Sequence, residues 1–260
     1  MAFEGRLMCV LAHPDDESLG TGGILAKYSS EGLSTYVVTA TRGERGRCGD
    51  AKEHPGPAVV GRLREQELRA AARALGVREV SFLDYQDGDL AGVDANEAGE
   101  KIAEHIRRVR PHAVVTFDPF GAYGHPDHVA ICQLTAAGIA RAAASGHTVS
   151  KFYYFVSSAE RWRVYQTALK TLTSTVDGVV RSSAAWPDWS ITTQVDASDH
   201  WERVWHAVQC HETQMSIYKQ FESLTEHDHR LLWGRQQFYR VFSLVNGGRT
   251  QETDLFEGLR

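Results

Sequence analysis

Cysteine is scarce: Cys9, Cys48, Cys132 and Cys210 are the only four in 260 residues, and no two form a Cys-x-x-Cys pair. That spread speaks against a thiolate metal site and against a disulfide framework, and Cys9 and Cys132 read as ordinary core residues. Long apolar runs are missing too, so no segment is expected to cross a bilayer. The amino-terminal residues, Met1-Ala2-Phe3-Glu4-Gly5-Arg6, pass straight toward a strand with no basic region or apolar core of a signal peptide, and a cytoplasmic location is expected. Positive charge is not in excess, with 28 Lys and Arg against 33 Asp and Glu for a net charge of -5. A surface that tracks phosphates is thereby excluded, and the expected partner is a small molecule rather than nucleic acid. Internal repeats and low-complexity stretches are absent. What is present is 42% hydrophobic residues, enough for one large domain with a modest appendage.

The chain is organised around the end of its first apolar run. Residues 7–12 are too uniformly hydrophobic to have a wet face, which marks a central parallel strand covered on both sides. The run stops on His13-Pro14-Asp15-Asp16-Glu17. Proline suits the first turn of a helix, and acids are favoured there, so a helix starts at this point. His13 and Asp16, three apart, can converge on one point while Asp15 faces a neighbouring one. An imidazole and a carboxylate aimed together are two-thirds of a catalytic zinc site, and a spare carboxylate beside them suits a general base. Taken alone, the same residues are read equally well as a helix cap and a hydrogen-bonded histidine.

A second ending breaks that tie. Residues 113–117 form another apolar run, followed by Gly121-Ala122-Tyr123-Gly124-His125-Pro126-Asp127-His128. If the two strands are neighbours, both His-Pro-Asp segments fall at one rim of the sheet and His128 completes a set of His13, Asp16 and His128. The fourth position then stays open for water.

With both segments intact at residues 12–17 and 125–128, the chain resembles the PIG-L/LmbE-like family of zinc-dependent N-acetyl-sugar deacetylases. Gly20-Thr21-Gly22-Gly23, Thr41-Arg42-Gly43-Glu44, Arg64-Glu65-Gln66-Glu67-Leu68 and Ala74-Leu75-Gly76-Val77 agree with it, so the resemblance covers roughly the first 145 residues. It implies one zinc ion per chain, or another divalent metal, and an N-acetylated sugar as substrate. It also implies that Arg64 approaches the polar groups of the substrate and that an Asp-Gly such as Asp87-Gly88 lies near the ligand.

Strands and helices alternate at about thirty-residue spacing through residue 144, the signature of an α/β fold, a Rossmann-like doubly wound and mostly parallel sheet with helices on both faces. Residues 1–150 are expected to form this metal-binding core. Residues 151–260 are expected to add a smaller α+β portion that completes the sheet and the substrate cleft. The glycines at 20, 22 and 23 lack the spacing of a dinucleotide fingerprint and follow three acids, so they read as close helix-to-sheet contacts. Residues 33–40 form the second strand, ending in a loop whose Arg42 is a candidate substrate contact. A long loop over 48–59 precedes a helix over 61–75 with Leu63, Leu68, Ala71 and Leu75 on its apolar stripe, where Arg64 and Glu67 read otherwise as a surface pair. A third strand spans 80–83 and a helix 97–109. Beyond 151 the pattern loosens: strands at 152–156 and 191–195, a loop over 178–188, and one long helix from 196 through Met215. The tryptophans there, Trp162, Trp186, Trp189 and Trp201 among them, read as core, with exposed ones able to stack on a pyranose. His206, Cys210 and His211, and the cluster His227-Asp228-His229, imitate ligand spacing without a strand-end setting.

The expected reaction is hydrolysis of an N-acetyl group from an N-acetylglucosamine-type sugar or glycoside, releasing acetate. Asp15 acts as base, Tyr123 and a protonated His125 stabilise the oxyanion, and His125 then protonates the leaving amine, with Asp127 orienting His125 and keeping its pKa high. The alternatives are a zinc amidase acting on a larger amide such as a thiol-sugar conjugate, and a metal-holding module that binds a ligand without turnover. Self-association into a homo-oligomer is expected.

Overall fold

The computed structural model describes residues 3–51, 53–170, 172–248 and 250–260; Met1 and Ala2 of the terminus read above, and one position of the 48–59 loop, lie outside the described residues. In chain order its elements are β1 (Arg6–Leu11), α1 (Asp16–Ser30), β2 (Ser34–Thr39), α2 (Pro57–Leu75), β3 (Glu79–Phe82), α3 (Ala95–Val109), β4 (Ala113–Thr116), α4 (Gly121–Gly124), α5 (Pro126–Ala144) and β5 (Lys151–Val156). There follow α6 (Ala159–Leu169), β6 (Thr173–Val176), β7 (Val179–Ser182), β8 (Thr193–Asp196), α7 (Trp201–Gln209) and β9 (Arg235–Ser243), with a series of short helical segments over 212–234 between α7 and β9.

One sheet of seven strands runs β3-β2-β1-β4-β5-β9-β8. The first five are parallel, β9 is added antiparallel to β5, and β8 pairs antiparallel with β9. Every residue of β1 after Arg6 is buried, as its uninterrupted apolar run requires of a central strand. The order reverses between β1 and β4, so loops leaving these two strands diverge and open a crevice at their carboxyl ends. Right-handed crossovers then put α1 and α2 on one face and α3 and α5 on the other, and the packing agrees: α1 and α2 meet α7, while α3 meets α5.

Several boundaries differ from the sequence reading for identifiable reasons. α2 starts at Pro57, which takes the first helical position, instead of 61, and Leu63 is exposed rather than part of the apolar stripe. α3 starts at Ala95 because Asp94 accepts hydrogen bonds from the Asn96 and Glu97 N–H groups. The loop region at 178–188 contains β7, which forms an exposed hairpin with β6. The single helix over 196–215 is broken: α7 ends at Gln209, and His211 leaves helical geometry at φ -85, ψ 63 to turn inward. α6 and β9 carry no strong periodic signal. The glycines of α1 make the close contacts expected of them, though with more than the sheet: a Cβ at Gly20 would lie 2.9 Å from the Phe155 ring of β5, and one at Gly22 2.7 Å from Val204 of α7.

The sheet continues across residue 150 without a break. Its far side is fastened by the C-terminal tail, where Glu252 accepts hydrogen bonds from Lys151 (2.6 Å), Tyr153 (2.8 Å) and Thr193 (2.7 Å). No helix among the described residues is long and apolar enough to cross a membrane.

Candidate metal centre

β1 and β4 are hydrogen-bonded neighbours, so the segments that follow them meet although 115 residues separate His13 from His128. His128 Nε2 lies 3.2 Å from His13 Nδ1, Asp16 Oδ2 lies 3.8 Å from the same His13 atom, and Asp16 Oδ1 lies 3.6 Å from His128 Nε2. Ligands of a tetrahedral ion with bonds near 2.0–2.1 Å stand roughly 3.3 Å apart, so this spacing suits one shared cation.

The outer contacts decide which atoms face that point. His13 Nε2 lies 3.1 Å from both Asp87 Oδ1 and Asp127 Oδ2, two acceptors, so it carries the proton and leaves the Nδ1 lone pair inward. His128 Nδ1 faces the Gly121 carbonyl at 3.3 Å, which leaves Nε2 inward in the same way. Asp16 Oδ2 accepts from the Ala12 and His13 N–H groups at 3.1 and 2.8 Å. Two imidazole nitrogens and a carboxylate turned toward each other call for positive charge among them, supplied by a proton on His13 Nδ1 when no ion is bound and by a divalent ion in its place. The donor set fits a divalent ion.

His125 lies close enough to compete for the third place, since one donor atom each of His13, His125 and His128 falls within 4.8 Å of the others. Its Nδ1 accepts the Asp127 N–H at 3.2 Å. We favour Asp16 as the third ligand because two backbone donors already fix its carboxylate and because it brings the negative charge a divalent ion needs.

Electrostatics follow from burial. Burial opposes charge on His13, but hydrogen bonds to Asp127 and Asp87 and the charge of Asp16 outweigh it and push its pKa up to about 10. Asp16 is pushed up to about 7, chiefly by burial, with His13 opposing and Asp15 adding repulsion. His128 is held well below its usual value by burial and by His13. The expectation for His125 needs correcting: burial and His13 lower its pKa. Asp127 cannot hold it high because its carboxylate is spent on His13 and on the N–H groups of Gly88 (2.7 Å) and Leu90 (3.1 Å). The Asp127 carboxylate therefore orients His13, while its backbone N–H is what orients His125.

Asp15 precedes α1 at φ 110, ψ -27, a backbone state that costs a residue with a side chain of order 1–3 kcal/mol. Its neighbours hold it there. Glu17 Oε2 accepts the Asp15 N–H at 2.9 Å, and His211, fully buried, reaches Glu17 Oε1 at 2.7 Å. The Asp15 carboxylate accepts from Arg64 Nη2 at 2.9 Å and Tyr218 Oη at 2.7 Å, both on Oδ2. Arg64 also donates to the carbonyls of Pro14 and Gly43. A Cβ at Gly43, whose φ is +64, would collide with this guanidinium, so glycine is required there on two counts.

Asp15, Arg64 and Tyr218 line a cavity of about 500 Å³ together with His13, Asp16, His128, Asp87, Tyr123 and His125. Arg64 is thus a buried partner of Asp15, and Glu67 accepts from Thr213 instead of pairing with it. Arg42 is not among the lining residues; it is held by Glu65 (2.7 Å) and Asp84 (2.5 Å), while Arg45 of the same loop reaches the cavity. Sequence reasoning missed His211 and Tyr218 as supports of Asp15. The other histidine cluster is structural: Asp228 closes a capping box with Thr225, and His229 accepts from Trp233 Nε1 at 3.1 Å.

A family model described as PIG-L, GlcNAc-PI de-N-acetylase, matches residues 8–139, which hold both His-Pro-Asp segments. The chain belongs to the PIG-L family. It is 31% identical to a 1D-myo-inositol 2-acetamido-2-deoxy-alpha-D-glucopyranoside deacetylase of Nocardioides sp., over 100% of both chains. Its fold is shared by the N,N'-diacetylchitobiose deacetylase of Pyrococcus horikoshii (TM-score 0.65, 19% identity, 91% of this chain and 83% of that one). A 4-carboxy-2-hydroxymuconate hydratase of Pseudomonas putida shares it equally (TM-score 0.66, 21% identity, 94% and 99%). A hydratase and a deacetylase on one scaffold mean that the fold leaves the chemistry open, and for this PIG-L chain the side chains at the rim must decide it.

Proposed function

We propose that this PIG-L protein hydrolyses the N-acetyl group of an N-acetylglucosamine-type glycoside, using one zinc ion held by His13, Asp16 and His128. What supports the reading is that His13 Nδ1 and His128 Nε2 lie 3.2 Å apart with one oxygen of Asp16 3.8 Å from the first and the other oxygen 3.6 Å from the second, beside a cavity-lining carboxylate that is not needed to hold the ion. Two imidazoles and one carboxylate are a donor set suited to catalytic zinc, and the ion supplies Lewis acidity toward water and toward the amide carbonyl.

The chain's own groups account for the rest. Both donors to Asp15 fall on Oδ2, which leaves Oδ1 to take the proton of the attacking water. Tyr123 keeps its hydroxyl proton, since burial and the charges of Asp16 and Asp15 raise its pKa, and it donates to the developing oxyanion. His125 has Nδ1 occupied by the Asp127 N–H, so it presents an Nε2–H that donates a hydrogen bond to the substrate, and the proton Asp15 takes from water is the one returned to the leaving amine. Asp87 and Asp127 keep His13 in the tautomer that ligation needs.

Acetate release from a panel of N-acetylglucosamine glycosides and bulky amides, with zinc or ferrous ion supplied, tests this. Acetate from the glycosides is expected. Cleavage confined to the bulky amides would favour an amidase of larger conjugates, and no release from any substrate would leave a binding module.

A further inference from the structure

Four basic side chains are buried among the described residues: Arg64, Lys151, Arg161 and Arg240. Three have a carboxylate partner, Arg64 with Asp15 at 2.9 Å, Lys151 with Glu252 at 2.6 Å and Arg240 with Glu252 at 2.7 Å. Arg161 pairs with no carboxylate among the described residues. It is 2% exposed, its Nε meets no acceptor, Nη2 reaches the Leu19 carbonyl at 3.4 Å, and the guanidinium lies 5.8 Å from the centre of the Tyr165 ring, a neutral neighbour that leaves its charge unbalanced. Yet Arg161 lines the cavity. A buried lysine relieves such a situation by losing its proton, but a guanidinium stays charged in proteins and must find an anion or remain costly.

We propose that Arg161 receives an anionic group of the substrate, a carboxylate or a phosphate carried on the side of the sugar away from the acetamide. Leu19, whose carbonyl Arg161 touches, lies three residues beyond Asp16 on α1, about 4.5 Å further along the helix axis. Arg161 and the metal donors line the same cavity, so a substituent of a molecule held at the metal can reach the guanidinium. The neighbouring wall, with Phe155, Trp162, Leu169 and Leu172, is apolar, and a pair of opposite charges is stronger in such surroundings than in water. The Nocardioides relative is named for an inositol glycoside, a compound without an acidic group, so an anionic preference would set this chain's substrate apart from that one. The inference rests on the deacetylase reading only for the identity of the molecule that carries the anion.

The test uses zinc-loaded protein and three aryl N-acetylglucosaminides that differ in one substituent: carboxylate, phosphate or neutral carboxamide. Calorimetric Kd and acetate release are measured for each. At least one anionic compound is expected to bind roughly tenfold or more tighter than the carboxamide, with the carboxylate and phosphate arms showing which anion is preferred. Arg161→Met should bring the affinities together, and Arg161→Lys should retain part of the preference. Equal affinities in the unaltered protein, no binding of any of the three, or a preference that survives Arg161→Met would overturn the inference. An anionic preference in Kd with no acetate from any compound would leave the inference standing and remove the deacetylase reading. Equal Kd with acetate released from all three would do the reverse.

Discussion

Residues 6–144 and residues 151–260 contribute to the same cavity in different ways. The first region supplies every candidate ligand and proton carrier: His13, Asp15, Asp16, Tyr123, His125 and His128. The second supplies the apolar wall around Trp162 and Tyr165, Arg161 with no carboxylate partner among the described residues, and two supports, His211 and Tyr218, that reach Asp15 directly or through Glu17. Local sequence installs the reactive groups, because a buried parallel strand can place only its exit loop at the rim. Distant sequence fixes how those groups are held and what shape of molecule meets them.

Substitutions in the two regions should therefore fail differently. The largest loss of turnover is expected for Asp15→Asn, between about 10²- and 10⁴-fold in acetate release, with about one zinc per chain still bound by elemental analysis. Loss of zinc together with turnover would mean that Asp15 belongs to the ligand set and that the division of labour within the first region is misdrawn.

His211→Ala should act on stability first. It leaves Glu17 charged and buried without its partner, a change that costs about 3–5 kcal/mol, read as a lowered denaturation midpoint. The pair also predicts a pH window. Burial opposes charge on Glu17, but His211 outweighs it and lowers the carboxyl below 4.5; burial likewise opposes charge on His211, but Glu17 raises it above 6.5. The Glu17 contribution is complete above pH 4.5 and lost as pH falls through its folded value. The His211 contribution is complete below pH 6.5 and lost as pH rises through its own. The stability difference between the unaltered protein and His211→Ala should thus be greatest between pH 4.5 and 6.5 and narrow on either side. A difference independent of pH would show that the pair is held by packing alone.

The legibility of the chain follows the same division. The stops at His13 and His128 stood out because uninterrupted apolar runs ended in charged triplets, and the neighbouring strands needed only the reversal of strand order to bring them together. Asp87 was visible as part of an acidic turn that the resemblance placed near the ligand, but nothing local says that its carboxylate reaches His13. The hairpin at Thr173–Ser182 escaped notice because its strands are half or fully exposed and show no apolar alternation. His211 looked like a member of a helical histidine and cysteine pattern; the break that turns it toward Glu17 is set by a partner 194 residues away. Arg42 was singled out by its loop, but the carboxylates that hold it come from α2 and the turn after β3.

A smaller effect is expected for Tyr218→Phe. Removing one hydrogen bond to a charged group should lower kcat roughly tenfold through misplacement of Asp15, with zinc content and KM nearly unchanged. An unchanged kcat would confine the second region to wall and scaffold. The smallest effect is expected for Arg42→Ala. Its partly exposed ion pairs contribute at most about 1 kcal/mol to stability, and since it does not line the cavity, KM should be unaltered; a large rise in KM would put the loop after β2 back in contact with substrate.

The most direct measurement is anomalous X-ray scattering at the zinc edge from a zinc-loaded crystal. One peak is predicted between His13 Nδ1 and His128 Nε2, about 2.0–2.2 Å from each and from an Asp16 oxygen, and no peak there in His128→Ala. Zinc seated elsewhere, or imidazoles 13 and 128 directed to separate ions, would contradict the account.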